Sequence, residues 1–483
     1  MTRKDGAIAN VVRNAPGPTD IAVDVLIIGA GACGCCAALA AKESGASVLI
    51  VERDATPSGS TSLSSGMIPA AGTALQEAAG IADTAELLAG DLIAKAKDKN
   101  NAAIARHVAA ESAPTIDWLA ETHNLPFSTV DTFRYPGHSA YHMHGVPSLD
   151  GSELLATLLS AVTDAGVDIV TSARAKTLVC DESGRISAVG VERPDGSAEL
   201  IGCGALVLAC NGYGGNPQMV ERFIPQMSKA HYHGHQGNQG EAVRWGEQLG
   251  CRIADMGSYQ GHGGVVTPQM VHLGWACVTE GGFQVNNKGE RFSHENEGYS
   301  EQAIKILTQP DGIAWTIFDE RCHDIAKSVH SHREGDAMGA IGSAQTVAAL
   351  AKAIGCKEAV LAQTLADVEA MAAGQLDDPF GRDFTTRPAL QPPYRFAKVT
   401  GALFHTQGGL EVNEEGRVLL ADGGVCPNLF AGGGAARGLS GPSDWGYLSG
   451  SGLLMAVTLG RLAGSAAAHQ VLQSTPDQRA GAG

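Results

Sequence analysis

The clearest pattern near the start of the chain is a short, almost unbroken apolar run, Val23-Asp24-Val25-Leu26-Ile27-Ile28, as expected of a buried strand. An Ala-rich stretch over about 32–44 then reads as a helix, Gly45 ends it, and 47–51 reads as a second strand. Together these make a β-α-β unit whose strands should run parallel. Two longer helical patterns follow, one from a candidate N-cap at Asp83 to about 97 and one over 102–122. Between 167 and 193 short strands alternate with turns at Asp181-Glu182-Ser183-Gly184 and Pro194-Asp195-Gly196, which predicts an antiparallel meander. Ala205-Leu206-Val207-Leu208-Ala209 is another buried strand. From about 255 to 395 the pattern loses regularity and gains aromatic and His residues, as an inserted domain would. After Thr400 Gly-rich turns and short strands return, and an apolar helix over 452–468 closes the pattern.

This ordering predicts an α/β protein. A Rossmann-like domain is built from 21–255 and 396–473, with an α+β substrate-binding cap inserted over 256–395. Residues 1–20 and 474–483 are expected to be flexible ends.

Composition narrows the function. The chain has 483 residues and 62 glycines, nearly double the usual share and without periodicity. Such an excess in a globular protein points to close backbone approach to a ligand. With 34 basic and 51 acidic side chains the net charge is -17, which argues against nucleic acid as a partner. Eleven cysteines, an odd number in a long chain, do not suggest a disulfide framework. No signal-peptide pattern opens the chain and no run reaches the length of a membrane span, so a cytoplasmic location is expected. No His, Cys or carboxylate cluster has metal-ligand spacing.

Gly29-Ala30-Gly31-Ala32-Cys33-Gly34 fits G-x-G-x-x-G between the first strand and its helix, and the second strand ends in Glu52. Gly29 allows the tight turn, Gly31 the approach of a pyrophosphate, and Gly34 close helix–strand packing. The helix N-terminus attracts phosphate, and Glu52 accepts hydrogen bonds from a ribose diol. One dinucleotide, FAD or NAD, is implied. Cys33, Cys35 and Cys36 read as small residues of a tightly packed helix.

Further motifs resemble the fumarate reductase and 3-ketosteroid dehydrogenase superfamily of flavoproteins. Ser58-Gly59-Ser60-Thr61-Ser62-Leu63-Ser64-Ser65-Gly66 is similar to its isoalloxazine segment, and Asn211-Gly212-Tyr213-Gly214-Gly215 lies in its second strand-turn motif. Thr406-Gln407-Gly408-Gly409, Phe430-Ala431-Gly432-Gly433 and Leu459-Gly460-Arg461-Leu462-Ala463-Gly464 resemble its closing signatures. The resemblance implies non-covalent FAD in a glutathione-reductase-type FAD-binding domain. It places Gly29, Gly31, Ala32, Cys33, Gly34, Glu52, Arg53, Ser60, Thr61, Ser62, Ser65, Gly66, Asn211, Gly212, Gly433, Ser449, Gly452 and Leu453 around that cofactor. Gly434 departs from the pattern, since relatives usually carry Glu there.

Two motif offsets resemble the ketone branch more than the fumarate-reducing branch. Tyr299 lies eight residues after Arg291 of Gly289-Glu290-Arg291-Phe292, where ketosteroid dehydrogenases carry their base. Tyr447 stands where they carry a carbonyl-binding Tyr and where the reductases carry Arg. His405, before Thr406-Gln407-Gly408-Gly409, is similar to the carboxylate-binding His of the reductases, or is a structural His.

The implied reaction is α,β-desaturation of a cyclic ketone, either a small alicyclic ketone or keto acid, or a 3-ketosteroid. Hydride goes to FAD and the α proton to Tyr299. Tyr447 steadies the enolate oxygen, with a backbone N–H near Ser451. For this Tyr299 needs a lowered pKa or a phenol partner, with Tyr135 and Tyr141 the candidates. The alternative is a fumarate-reductase-like ene reductase of an unsaturated acid. The electron acceptor is not identified.

Overall fold

The computed structural model describes residues 9–13 and 17–474; the stretches 1–8, 14–16 and 475–483 of the expected flexible ends lie outside the described residues. The β-α-β unit forms as Ile21–Ile28, Ala32–Glu43 and Val48–Val51, with Val25 opposite Val48 in a parallel pair. It is the middle of a nine-stranded sheet. On one side of it lie Ala198–Leu208, Ile186–Glu192, Arg174–Cys180 and Asn10–Arg13 in turn, and on the other Asp168–Val170.

The structure differs from expectation at three places. Asn10–Arg13 pairs in parallel with Arg174–Cys180, so the lead-in supplies an edge strand. Asp168–Val170 does not open the meander but pairs in parallel with Val48–Val51, because the left-handed Ser172 (φ 51°) breaks the chain before Arg174–Cys180. The helix expected from Asp83 starts instead at Ala85, capped by Thr84 accepting from the Leu87 N–H, since Asp83 is bonded to His142.

On the edge away from Ile21–Ile28, Ala198–Leu208 is long enough to serve two partners. Its first half pairs antiparallel with Ile186–Glu192 and its last half parallel with Val425–Ala431, where Leu206 faces Leu429. The fully buried Asn428 side chain bridges the fork: it accepts from the Ile186 N–H (2.8 Å) and donates to the Ile186 and Gly204 carbonyls (2.6 and 2.8 Å). The end of the chain thus returns to the sheet that the start of the chain built. Ser451–Ser474 then packs on Ala32–Glu43. A Cβ at Gly460 would stand 2.5 Å from the Cys33 carbonyl, and one at Gly464 2.1 Å from that of Ala37. Only glycine lets these helices come so close. By length and composition Ser451–Gln473 is long and apolar enough to cross a membrane, and 61% of its most apolar window is buried in this fold.

A seven-stranded sheet forms the second layer around Tyr394–Thr406, which pairs with Tyr259–Val266, Ile313–Asp319, His231–Tyr232 and Gly342–Ala344. It draws on both sides of the expected insert at 256–395. Its 13-residue central strand runs on to Thr406 and so carries His405 and Thr406 from the cap to the dinucleotide domain.

Candidate active site

One cavity lies between the two sheets, and its two ends differ in chemistry. At the nucleotide end the chain offers mostly backbone. Gly29 is left-handed (φ 107°), and a Cβ on Gly34 would fall 1.8 Å from the Gly29 carbonyl, so both glycines are sterically required. The helix that follows begins on Gly31, which has no side chain to cap it, and its positive N-terminus lines the cavity as a phosphate would require, with the Ala32 N–H bonded to Thr61. Glu52 is oriented by the Ala30 and Asp54 N–H groups, which donate to its two oxygens at 2.9 and 3.0 Å. Arg53 donates to the Gly237 carbonyl, and Arg53 and Arg174 converge on Glu241. Turn, helix end and poised carboxylate fit the adenosine diphosphate half of FAD.

The wall continues through Ser60 and Thr61. Thr61 Oγ1 accepts from the Ala32 N–H (3.0 Å), and Ser60 Oγ accepts from Asn211 and Asn238 (2.7 and 3.2 Å). Asn211 is left-handed (φ 63°), a conformation that Asn tolerates. Its Oδ1 sits 2.1 Å from where a Cβ on Gly434 would be. That contact explains the glycine at 434: a Glu there would displace Asn211.

At the other end the lining consists of neutral side chains. Tyr135, Tyr299, Tyr447 and His405 all reach this end of the cavity, from four distant segments. Tyr299 packs edge-on to Tyr135 (5.9 Å between centroids), is stacked on His262 (4.7 Å) and lies 6.2 Å from Tyr447. Tyr447 is edge-on to His405 at 5.6 Å. Burial sets the electrostatics. It pushes the Tyr447 phenol up to about 12 and drives His405 down to about 4, so Tyr447 is a hydroxyl donor and His405 a neutral ring at pH 7. Tyr299 is raised well above the usual phenol value, by burial first and then by the Tyr447 and Tyr135 phenols, with a Ser449 hydrogen bond opposing. A tyrosine base needs a lowered pKa or a phenol partner; the structure supplies neighbouring phenols and no lowering. Among the described residues lining the cavity the cations are Arg53 and Arg174, both at the nucleotide end.

Charge is kept one layer back. Arg291 of the Gly289-Glu290-Arg291-Phe292 motif pairs with Glu295 (2.8 Å) and Asp378 (2.6 Å), and Glu295 also pairs with Arg382 (3.2 Å), all buried. This cluster fixes the turn before Gly298, the residue on which the helix Tyr299–Leu307 begins. Behind Ser449, His138 donates to its carbonyl (3.2 Å), and the adjoining His142 is held between Asp83 (2.5 Å) and Asp91 (2.9 Å).

Some expected contacts fall outside the cavity lining. Gly34 packs against the strand, while Ser62 turns back to the Gly59 carbonyl (3.2 Å). Gly66 lies against the Asp150 backbone and Gly212 against Thr406. Tyr141 is exposed, and His144 is satisfied by Thr73 and the His142 carbonyl. Sequence reasoning missed Met67, Met143, His272 and Phe404, which line the ring end. His272 is reached through His262: the Gly264 N–H donates to His262 Nδ1 (2.9 Å), so His262 Nε2–H donates to His272 Nε2 (2.8 Å). No local motif marks that pairing. Among the described residues no group of three or more His, Cys, Asp or Glu could hold a metal ion.

The fold and site define a flavoprotein oxidoreductase, with FAD as its dinucleotide. The chain belongs to the FAD binding domain family, matched over residues 24–453, and within it to the fumarate reductase group. It is 30% identical over 461 residues to the probable fumarate reductase Ifc3 of Shewanella frigidimarina, covering 95% of this chain and 76% of that protein. A flavocytochrome c3 fumarate reductase in its open conformation superposes with a TM-score of 0.78 at 28% identity, over 94% of this chain and 79% of that one. A 3-ketosteroid-Δ4-(5α)-dehydrogenase from Rhodococcus jostii RHA1, in complex with 4-androstene-3,17-dione, shares the fold. Its TM-score is 0.76 at 24% identity, over 95% and 100% of the two chains. The protein is an FAD-dependent oxidoreductase acting on CH–CH groups.

Proposed function

We propose that the protein is a dehydrogenase that introduces a C=C bond α,β to the carbonyl of a cyclic ketone, either a small alicyclic ketone or keto acid or a 3-ketosteroid. The observation that carries this reading is the neutrality of the ring end: three phenols and neutral imidazoles, with the lining cations among the described residues, Arg53 and Arg174, at the opposite end. A dicarboxylate moved there from water would leave two charges without counterions, which is strongly unfavourable. A ketone needs only hydrogen-bond donors and an apolar surround, and Tyr447, Met67, Met143 and Phe404 provide both.

Bound FAD would supply the hydride acceptor. The chain's own residues manage the proton and the oxygen. Tyr447 donates to the carbonyl oxygen and stabilises the negative charge that grows on it as the α proton leaves. Tyr299 takes the α proton. Because its phenol is buried among other phenols, it must first lose its own proton, and that sets the pH dependence.

Similarity to named fumarate reductases, together with His405, favours ene reduction of an unsaturated acid as the second reading. Anaerobic mixing separates the two. The ketone reading expects oxidised flavin to bleach with one of a panel of cyclohexanones and 3-ketosteroids. Flavin that stays oxidised with all of them, while reduced enzyme is reoxidised by fumarate or a related acid, selects the second reading.

A further inference from the structure

We propose that His405 is a neutral donor to the substrate's ketone oxygen, its Nε2–H acting beside the Tyr447 hydroxyl, and that Gln407 and Ser440 are positioning residues that fix this proton. The inference rests on the ketone reading above and replaces the carboxylate-binding role that the resemblance implied for this His.

The tautomer follows from the hydrogen bonds. Gln407 Nε2 donates to His405 Nδ1 at 2.8 Å. The other end of the amide is engaged as well, Gln407 Oε1 accepting from the Ser440 hydroxyl at 3.2 Å. With Nδ1 accepting, the single proton of the neutral ring is on Nε2. The only other contact of Nδ1, to the Thr406 carbonyl, is 3.4 Å long and loses to the shorter bond.

The geometry then puts two donors in one place. His405 Nε2 lies 3.0 Å from the point where a Cβ on Gly452 would be, and the Tyr447 hydroxyl lies 3.5 Å from the same point. Both rings line the cavity, and among the described residues no acceptor takes up Nε2. Any side chain at 452 would strike the His405 ring, so the absence of one is a condition for this arrangement. A lone neutral donor is poorly suited to a buried carboxylate, which keeps its full charge and calls for a cation. It suits a ketone whose oxygen gains charge during the reaction, since a hydrogen bond to a developing anion strengthens as the charge grows.

A phenol probe tests this on the FAD-loaded protein without turnover. 4-Nitrophenol presents an oxygen shaped like that of an enolate, and its ionisation is visible by absorbance. The donor pair should bind it as the anion, with its apparent pKa lowered relative to free solution. His405→Phe, which keeps an aromatic ring and the flavin content, should weaken anion binding by about 10- to 100-fold, as expected for one hydrogen bond to a charged group. Gln407→Leu should weaken it by a smaller factor, because the ring remains and only its proton is freed. Unchanged affinity and ionisation in His405→Phe overturn the proposal. So does a loss confined to 4-nitrobenzoate, which identifies a carboxylate site. The outcome is separable from the proposed function: if no ketone bleaches the wild-type flavin yet His405→Phe loses the phenolate, the ketone reading falls and His405 stands only as a neutral donor to an oxyanion.

Discussion

The two ends of the cavity solve the same problem, holding one ligand in register, by different means. At the nucleotide end the chain uses backbone, with charged side chains at the rim: Gly29, Gly31 and a helix N-terminus, with Glu52, Arg53 and Arg174 beside them. At the ring end it uses side chains without formal charge, and the charged groups stand behind them as closed clusters. The difference follows the ligand's own chemistry. A pyrophosphate is charged before and after reaction and is best met by fixed N–H dipoles. A ketone, the proposed substrate, acquires charge only transiently, and an environment that carries none beforehand responds most to that change.

The most severe break of this comparison is at the nucleotide end. Gly34→Val would place side-chain atoms against the Gly29 carbonyl, already only 1.8 Å from a Cβ. Purified protein should carry no flavin, read from its visible absorbance, and a yellow variant would show that the turn is not the phosphate cradle.

The next effect acts behind the ring end. Glu295 is 1% exposed and faces both Arg291 and Arg382. Glu295→Gln leaves the buried Arg382 guanidinium without its carboxylate partner and Arg291 with Asp378 alone, and breaking such a cluster typically destabilises by about 3–5 kcal/mol. Denaturant unfolding should show that loss while the flavin content of the folded fraction is kept. A loss below about 1 kcal/mol would mean that the cluster does not anchor the Tyr299 turn.

Within the ring end, Tyr299→Phe should slow flavin reduction by a ketone by about two orders of magnitude or more, with flavin content unchanged. On the ketone reading the reactive species is the Tyr299 phenolate, whose fraction grows about tenfold per pH unit below the phenol's raised pKa. The reduction rate should therefore climb from pH 6 to 9 with a logarithmic slope near one and no plateau. A profile level in that range would move the base from Tyr299 to another group.

The same contrast explains what could be read from sequence. The nucleotide end was legible because a steric demand on the backbone allows only one residue type, and the glycines that meet it are adjacent in the chain. Glu52 was legible because it ends the next strand of the same unit. Tyr299 and Tyr447 were reached only through motif offsets; nothing in the local pattern distinguishes them from core aromatics. Arg382 and Asp378, 91 and 87 residues beyond the Arg291 they sit beside, were invisible, as were Met67, Met143 and Phe404, because long-range packing brings them to the site. The insert boundary failed for a related reason. Tyr394–Thr406 is one strand that belongs to the cap by pairing and to the site by its end, and periodicity cannot divide it.

The smallest expected effect concerns the second charged cluster. His142 loses solvation by burial, but hydrogen bonds to Asp83 and then Asp91 outweigh that and raise its pKa above the ordinary value near 6.5. For Asp91, burial opposes ionisation, yet bonds from His142 and Ser139 hold it below the ordinary 3.8. A raised His contributes stability that is complete below about pH 6.5 and is lost as pH rises through the folded value. A lowered Asp contributes stability that is present above its unfolded value and is lost as pH falls through the folded one. The cluster is therefore strongest between these limits, and the alkaline side belongs to His142. His142→Gln should lower stability most near pH 6 and progressively less toward pH 9, so the two unfolding free energies converge as pH rises. A difference constant from pH 6 to 9 would mean that His142 is neutral in the fold. The charge held behind Ser449 would then be a carboxylate pair sharing hydrogen bonds, and the neutrality of the ring end would need another source.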